Sequence, residues 1–327
     1  MEVEIKDIDF DYYQELLGNN DVEGVDRLDP NDLVKRKWCS TPQDEMWLEN
    51  YYKNQEYIRP CLAHPDPNRT YVHVGGSPAV KKNFHLLKDL GEDFCIVASN
   101  TVAKFLIENG ITPDYIMLVE ALPHVQKDFD FDSTGMTLIH SPFACPEVVA
   151  NWKGERYTYF TGGGEKYKEA LSKDWEERRV IDIGGGNVVS TSYLWAYKYL
   201  QARHFIVIGM SLCFYDEYYF DGRVKPNENI DKYRGKYLAM DIYGEFVNTT
   251  PVLCMYKTWL EMYVKYGIEW GGGSFINSTE DGILGVLPEK VEQEGTAVTF
   301  KPKFIPWFNI VPLSVAISGH NIRMIGG

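Results

Sequence analysis

Two glycines, a hydroxyl and a proline follow an alternating apolar run in Val72-His73-Val74-Gly75-Gly76-Ser77-Pro78. Glycine has no Cβ, so a chain turning through Gly75 and Gly76 can bring its N–H groups close to a ligand. Ser77 is suited to cap a following helix, and Pro78 at the first helical position sacrifices no internal hydrogen bond. Spare N–H groups at such a helix start attract phosphate oxygens. A tight strand-to-helix connection without a ligand fits the same residues equally well. The spacing is neither a GxGxxG fingerprint nor a P-loop.

Other residues along the chain offer related chemistry. Ser99 and Asn100 in Ala98-Ser99-Asn100-Thr101 fall at the end of a second apolar run, where they can meet a ribose or base or cap a helix. Glu120 closes the run Tyr115 to Val119 and is the acid placed to hold Mg²⁺ on a diphosphate; Asp114, at the other end, is suited to fixing a turn. Gly184-Gly185-Gly186-Asn187 repeats the logic of the first turn, with Gly185, Gly186 and Asn187 as ligand contacts or as a helix start. Gly209 ends a very apolar run and permits close approach. His140, just before Ser141-Pro142, is the histidine best placed for acid–base chemistry.

The elements that must position these groups alternate. Short β-branched or aromatic runs at Tyr71 to Val74, Phe94 to Ala98, Tyr115 to Val119, Thr137 to His140, Arg156 to Phe160, Val180 to Ile183 and Phe205 to Ile208 are interleaved with helical stripes such as Val80, Phe84 and Leu87. That pattern predicts an α/β fold, a Rossmann-like, mostly parallel sheet with helices on both faces. Residues 1–68 read as a helical or irregular cap, 69–287 as the nucleotide-binding domain and 288–327 as a β-rich C-terminal appendage. The appendage either completes the sheet or forms a contact surface in a homo-oligomer. The polar, aromatic stretch from Leu212 to Thr250 is long for a connection and reads as a substrate loop.

The chain has 327 residues and a formal charge of −14, which argues against sequence-independent binding to nucleic acid, because that rests on lysine and arginine. No run of about 18 apolar residues predicts a membrane span, and the start lacks a secretory pattern, so a soluble cytoplasmic protein is expected. The six cysteines are scattered, which suits reduced thiols.

Taken in order, these motifs resemble the MptE-like family, also called DUF115. It includes 6-hydroxymethylpterin diphosphokinases and the central domain of motility accessory factors that glycosylate flagellin, and it is similar in fold to a bacterial sialyltransferase family. The likeness rests on Gly75 to Pro78, Ala98 to Asn100, Gly110 to Asp114, Gly185 to Ala196, the strand ending at Gly209, Tyr243-Gly244 and Asn277-Ser278-Thr279-Glu280-Asp281-Gly282. It implies a transferase that takes ATP with Mg²⁺, or a nucleotide sugar, and passes a group to a pterin-like, small-molecule or glycan acceptor. A binding or structural protein that has lost catalysis is the third reading. The chain departs from the family pattern: Ser77 and Pro78 stand in the reverse order, Glu120 stands where relatives usually have aspartate, and Ser211 stands where they often have the acid of Gly-x-Asp. Asp216 or Asp221 is then the acid that the loop can supply, and the sialyltransferase histidine has no counterpart between His204 and His320.

Overall fold

The computed structural model describes residues 2–4, 44–59, 65–160, 186–215, 217, 219–222, 237–294 and 297–325. Its first half contains β1 (Glu2–Glu4), α1 (Asp44–Asn54), β2 (Thr70–Val74), α2 (Val80–Asn83), β3 (Phe94–Ser99), α3 (Asn100–Glu108), β4 (Tyr115–Leu118), β5 (Thr137–His140), α4 (Pro146–Asn151) and β6 (Glu155–Thr158). There follow α5 (Val188–Tyr199), β7 (His204–Ile208), β8 (Tyr237–Met240), β9 (Phe246–Thr249), α6 (Pro251–Gly271), β10 (Ser274–Asn277), β11 (Val286–Glu294), β12 (Ala297–Phe304), β13 (Asn309–Ile310) and α7 (Leu313–Ile325).

Eight strands form one sheet in the order β13-β10-β7-β2-β3-β4-β5-β6, and every neighbouring pair is parallel. From β2 the chain winds outward to β6, then returns to the other side of β2 and winds outward again through β7, β10 and β13. The order therefore reverses between β2 and β7, and an open α/β sheet opens a crevice there, at the carboxyl ends of its strands.

β2, β3, β4, β5 and β7 are buried on both faces, which explains their near-continuous apolar runs. Because successive side chains point to opposite faces, each strand feeds two cores. Val72, Val74, Ile96, Ala98, Ile116, Leu118, Ile206 and Ile208 join Val80, Leu106, Val149 and Leu313 on one side. Tyr71, Cys95, Val97, Met117, Ile139, Phe205 and Val207 join Leu194, Trp195, Leu260 and Val264 of α5 and α6 on the other. The expected helices on both faces are thus present. His73 is a core residue of this second side: its Nδ1 lies 2.7 Å from Ser192 Oγ, and burial pushes its pKa down to about 3.

Local chemistry sets the long helices. Thr250 caps α6 by accepting the Leu253 N–H at 3.3 Å, Pro251 opens it, and Gly272 with φ +68° ends it. Inside α6, Lys257 and Glu261 form a buried pair at 2.7 Å, and Glu261 Oε1 also accepts the Gly285 N–H at 2.7 Å. Burial pushes the Glu261 pKa up against the pull of Lys257.

The C-terminal segment is β-rich as expected up to Ile310. β11 and β12 form an antiparallel hairpin extended by β1, and β13 adds a parallel edge to the main sheet. Beyond Pro312 the structure differs from the expected strand, because α7 begins at Leu313. A short apolar run does not distinguish a strand from a buried helix. Here Pro312 suits a helix start, and Leu313 and Ala316 pack into the first core. The loop between Leu212 and Thr250 contains a small hairpin, β8 with β9, that the sequence reading missed. The expected strand at Val180–Ile183 lies outside the described residues. Cys95, Cys145, Cys213 and Cys254 are buried free thiols. Among the described residues no helix is long and apolar enough to cross a membrane.

Candidate functional site

The turns after β2 and β7 meet backbone to backbone at the switch point. Gly75 N–H donates to Ile208 O at 2.9 Å, and Ser77 N–H donates to Gly209 O at 3.0 Å. A Cβ on Gly75 would lie 2.4 Å from Gly209 O, and one on Gly209 would lie 2.4 Å from Gly75 O. Gly209 also has φ +65°, so only glycine suits this contact. Two of the N–H groups that the sequence offered to a phosphate are therefore taken up by the neighbouring strand, and α2 is a single turn. Beside this contact lies a hydroxyl pair, with Ser211, 2% exposed, donating from Oγ to Ser77 Oγ at 2.9 Å. Gly76 lies beside them, and a Cβ there would meet Thr101 at 2.9 Å and the Tyr219 ring at 3.5 Å.

One strand along, Ser99 and Asn100 are each 5 % exposed. Asn100 Nδ2 donates to Asp128 Oδ2 at 3.1 Å. Ser99 Oγ and Asn100 Oδ1 are buried with no hydrogen-bond partner among the described residues, and Ser99 makes no side-chain cap on α3. An unsatisfied buried polar atom costs about 1–3 kcal/mol, so two neighbouring ones call for an explanation. Asp128 was not legible as a site residue, because it comes from the short 3₁₀ turn after β4. Leu212, with φ +56°, and Glu280, with φ +58°, hold strained backbone in the turns after β7 and β10.

The turn after β10 completes this half of the edge. Lys82 Nζ donates to Asp281 Oδ2 at 2.9 Å and to Glu280 O at 2.8 Å, while Asn83 Nδ2 donates to Ser278 O at 2.8 Å. Tyr215 OH donates to Asp241 Oδ2 at 2.9 Å and accepts the Gly282 N–H at 3.1 Å, joining the β8–β9 hairpin to the same turn. None of Lys82, Asn83, Tyr215, Asp241 or Asp281 was singled out as a site residue from the sequence. Asp281 stood within the Asn277 to Gly282 motif that carries part of the family resemblance.

The other half of the edge is built differently. α1 lies over the turns after β4 and β5, with Asn50 Nδ2 donating to Ala121 O and Phe143 O at 3.0 and 3.1 Å. Four residues on, Asn54 Nδ2 donates to Pro142 O and Ala144 O at 3.0 and 2.8 Å. Glu120 sits beside this clamp, and its Oε1 accepts the Leu122 N–H at 2.9 Å. Magnesium takes six oxygens, usually several of them water. Among the described residues no group of three His, Cys, Asp or Glu converges, so protein side chains alone form no closed metal cage around Glu120. His140 is fully buried: Nδ1 donates to Ser141 O at 2.9 Å, Nε2 lies 3.2 Å from Thr158 Oγ1, and burial pushes its pKa down to about 4. The structure thus places His140 and Glu120 apart from the Ser77–Ser211 pair.

Asn187 caps α5, with Oδ1 accepting the Ser190 N–H at 3.0 Å, and Gly186 passes under the Tyr256 ring with φ +67°. Gly185 and Asp216 lie outside the described residues. A cavity of about 310 Å³ lies at the opposite edge of the sheet, lined by Arg69, Lys88, Phe94 and Asp114 among others. Its charged groups already serve the fold: Arg69 pairs with Asp114 at 3.2 Å, and Asp114 Oδ2 accepts the Ile96 N–H at 2.8 Å.

These features define a doubly wound α/β protein with polar side chains gathered near its topological switch point. The family model described as 6-hydroxymethylpterin diphosphokinase MptE-like matches residues 45–217. That is more than half of the chain, and the chain belongs to the MptE-like family. The match takes in α1, so the helix that clamps β4 and β5 is part of the family's body. Among solved structures, the MAf glycosyltransferase from Magnetospirillum magneticum AMB-1 is similar, with a TM-score of 0.57, 18% sequence identity and 88% of this chain covered. The chain spans 42% of that protein's length. No curated protein matches the chain.

Proposed function

We propose that this chain is a nucleotide-dependent transferase that uses a nucleotide sugar. The observation that carries the reading is the pair of buried, unpartnered oxygens, Ser99 Oγ and Asn100 Oδ1, one strand from the switch point. In this reading they hydrogen-bond a ribose or base, with the phosphates over Ser77 and Ser211. Two hydroxyls suit a phosphate that leaves intact as part of the nucleotide. The fold shared with a glycosyltransferase over most of this chain supports the same reading.

In such a transfer the acceptor oxygen attacks the anomeric carbon, the sugar–phosphate bond breaks, and the nucleotide leaves with the bonding electrons. Donors fixed at the phosphate favour that departure. The second reading is transfer of diphosphate from ATP to a hydroxymethylpterin, releasing AMP, and the description of the matched family favours it.

Calorimetric titration with ATP, CTP, UTP, UDP-sugars and CMP-sugars tests both readings. At least one nucleotide is expected to bind, and Ser99→Ala and Asn100→Ala should each weaken it about tenfold, the worth of one good buried hydrogen bond. Absence of binding at millimolar concentration for every nucleotide would overturn the proposal. AMP release that requires a pterin acceptor would select the second reading, and nucleotide release from a sugar donor the first.

A further inference from the structure

We infer that the turn after β10 forms a hydroxyl-binding subsite, centred on Asp281, that receives the sugar of the bound nucleotide sugar. The inference rests on the nucleotide-sugar reading above and adds a place for the part of the ligand that Ser99, Asn100, Ser77 and Ser211 do not reach.

Three buried oxygens at this turn have no partner at hydrogen-bond geometry among the described residues, Asn83 Oδ1, Ser278 Oγ and Asp281 Oδ1, the last in a carboxylate that neighbours the Tyr215 hydroxyl. Asn83 and Ser278 are tied together through the Asn83 Nδ2 to Ser278 O bond of 2.8 Å. Asp281 is 8 % exposed, and its second oxygen, Oδ2, is held by Lys82. Amide and carboxylate oxygens of this kind only accept, so the missing partner must donate. The charges on Asp281 and Glu280 disfavour a phosphate. The Lys82 ammonium, 2.9 Å from Asp281 Oδ2, disfavours a metal cation. Neutral hydroxyls remain, and a sugar presents several of them close together.

The placement fits the same ligand. Gly282 packs so closely on Ser211 that a Cβ there would lie 2.4 Å from Ser211 Cα, and Ser211 in turn holds Ser77. Nucleoside contacts at β3, phosphate contacts at β2 and β7 and hydroxyl contacts at β10 therefore follow the order of adjacent strands. At about 4.8 Å per strand, three steps span roughly 14 Å, a distance an extended nucleotide sugar can cover. Lys82, with 44% of its side chain exposed, and Tyr243, whose OH donates to Glu280 O at 2.8 Å, lie over the turn from outside. Glu280 holds its positive φ within this turn, as strained residues at ligand sites do.

The test compares UDP-glucose, UDP-N-acetylglucosamine, GDP-mannose and CMP-N-acetylneuraminate, each beside its parent nucleotide, by calorimetry on the full chain. For the wild type, one sugar nucleotide should bind at least tenfold tighter than its parent. Asp281→Asn should remove that advantage, a loss of about 10- to 100-fold for a hydrogen bond to a charged group, while the parent changes less than threefold. Lys82→Gln should keep the advantage, which separates hydroxyl binding from the ion pair. The inference is overturned if the wild type shows no preference for any sugar nucleotide, if Asp281→Asn retains the preference, or if it weakens parent and sugar nucleotide equally. Parent nucleotides that bind without a sugar preference would leave the nucleotide reading standing. Failure of every nucleotide to bind would overturn both.

Discussion

The two halves of the sheet's carboxyl edge are built on opposite plans. Over β4 and β5 the backbone carbonyls are closed by Asn50 and Asn54 of α1, and His140 below them has both ring nitrogens in contact with partners. Over β3, β2, β7 and β10 the turns are drawn together by glycine contacts and strained residues, and five oxygens, of Asn83, Ser99, Asn100, Ser278 and Asp281, lack partners. The first half spends its side-chain donors on turn carbonyls, leaving Asn54 Oδ1 of the clamp buried without a partner, and has a structural part to play. A half that keeps acceptors buried and unmatched carries a cost that a ligand can relieve.

The largest expected effect comes from closing the open half at its narrowest point. Gly209→Ala places a Cβ on the Gly75 carbonyl at positive φ, and should cost about 4 kcal/mol or more, enough to prevent folding. Denaturant unfolding with normal stability would show that the two turns are not packed as one unit. Acid tests one histidine from each half together. Both His73 and His140 have pKa values lowered in the native state, to about 3 and about 4, so the unfolded chain binds protons first as pH falls below about 6.5. Their stabilisation is complete above that pH and is lost as pH drops toward 4, at about 1.4 kcal/mol per pH unit for each histidine. Urea midpoints taken from pH 7 to 4.5 should show this slope, and His73→Phe should halve it.

Asn54→Ala should cost about 3 kcal/mol, since it removes the side-chain donor from two carbonyls, yet leave nucleotide affinity unchanged. A matching fall in affinity would mean that the closed half also takes part in binding. The smallest structural effect belongs to Ser211→Ala, about 1 kcal/mol for one hydroxyl bond, accompanied by weaker nucleotide binding if the Ser77–Ser211 pair holds the phosphate. Loss of stability without loss of affinity would assign that pair to packing.

Much of this was legible in the chain. The β2, β3, β4, β5 and β7 strands follow from apolar runs that a doubly covered parallel sheet requires, and Gly75, Gly209, Ser99 and Asn100 mark strand ends because glycine and small polar residues interrupt those runs. The start of α7 escaped because short apolar segments carry no period that separates helix from strand. The Asn50–Asn54 clamp escaped because two asparagines four residues apart show their use only when carbonyls from turns about 70 and 90 residues away are brought beneath them.

Local patterning thus sufficed for the element types, the α/β class and the strand ends that carry polar residues, because periodicity and backbone freedom are properties of neighbours in sequence. The tertiary structure decided which ends face one another. It joined Gly75 to Gly209, turned the N–H groups of Gly75 and Ser77 toward β7 instead of a phosphate, and set Ser211 on Ser77 and Lys82 on Asp281. Those contacts depend on strand order, and strand order follows from how the two cores pack across the whole sheet.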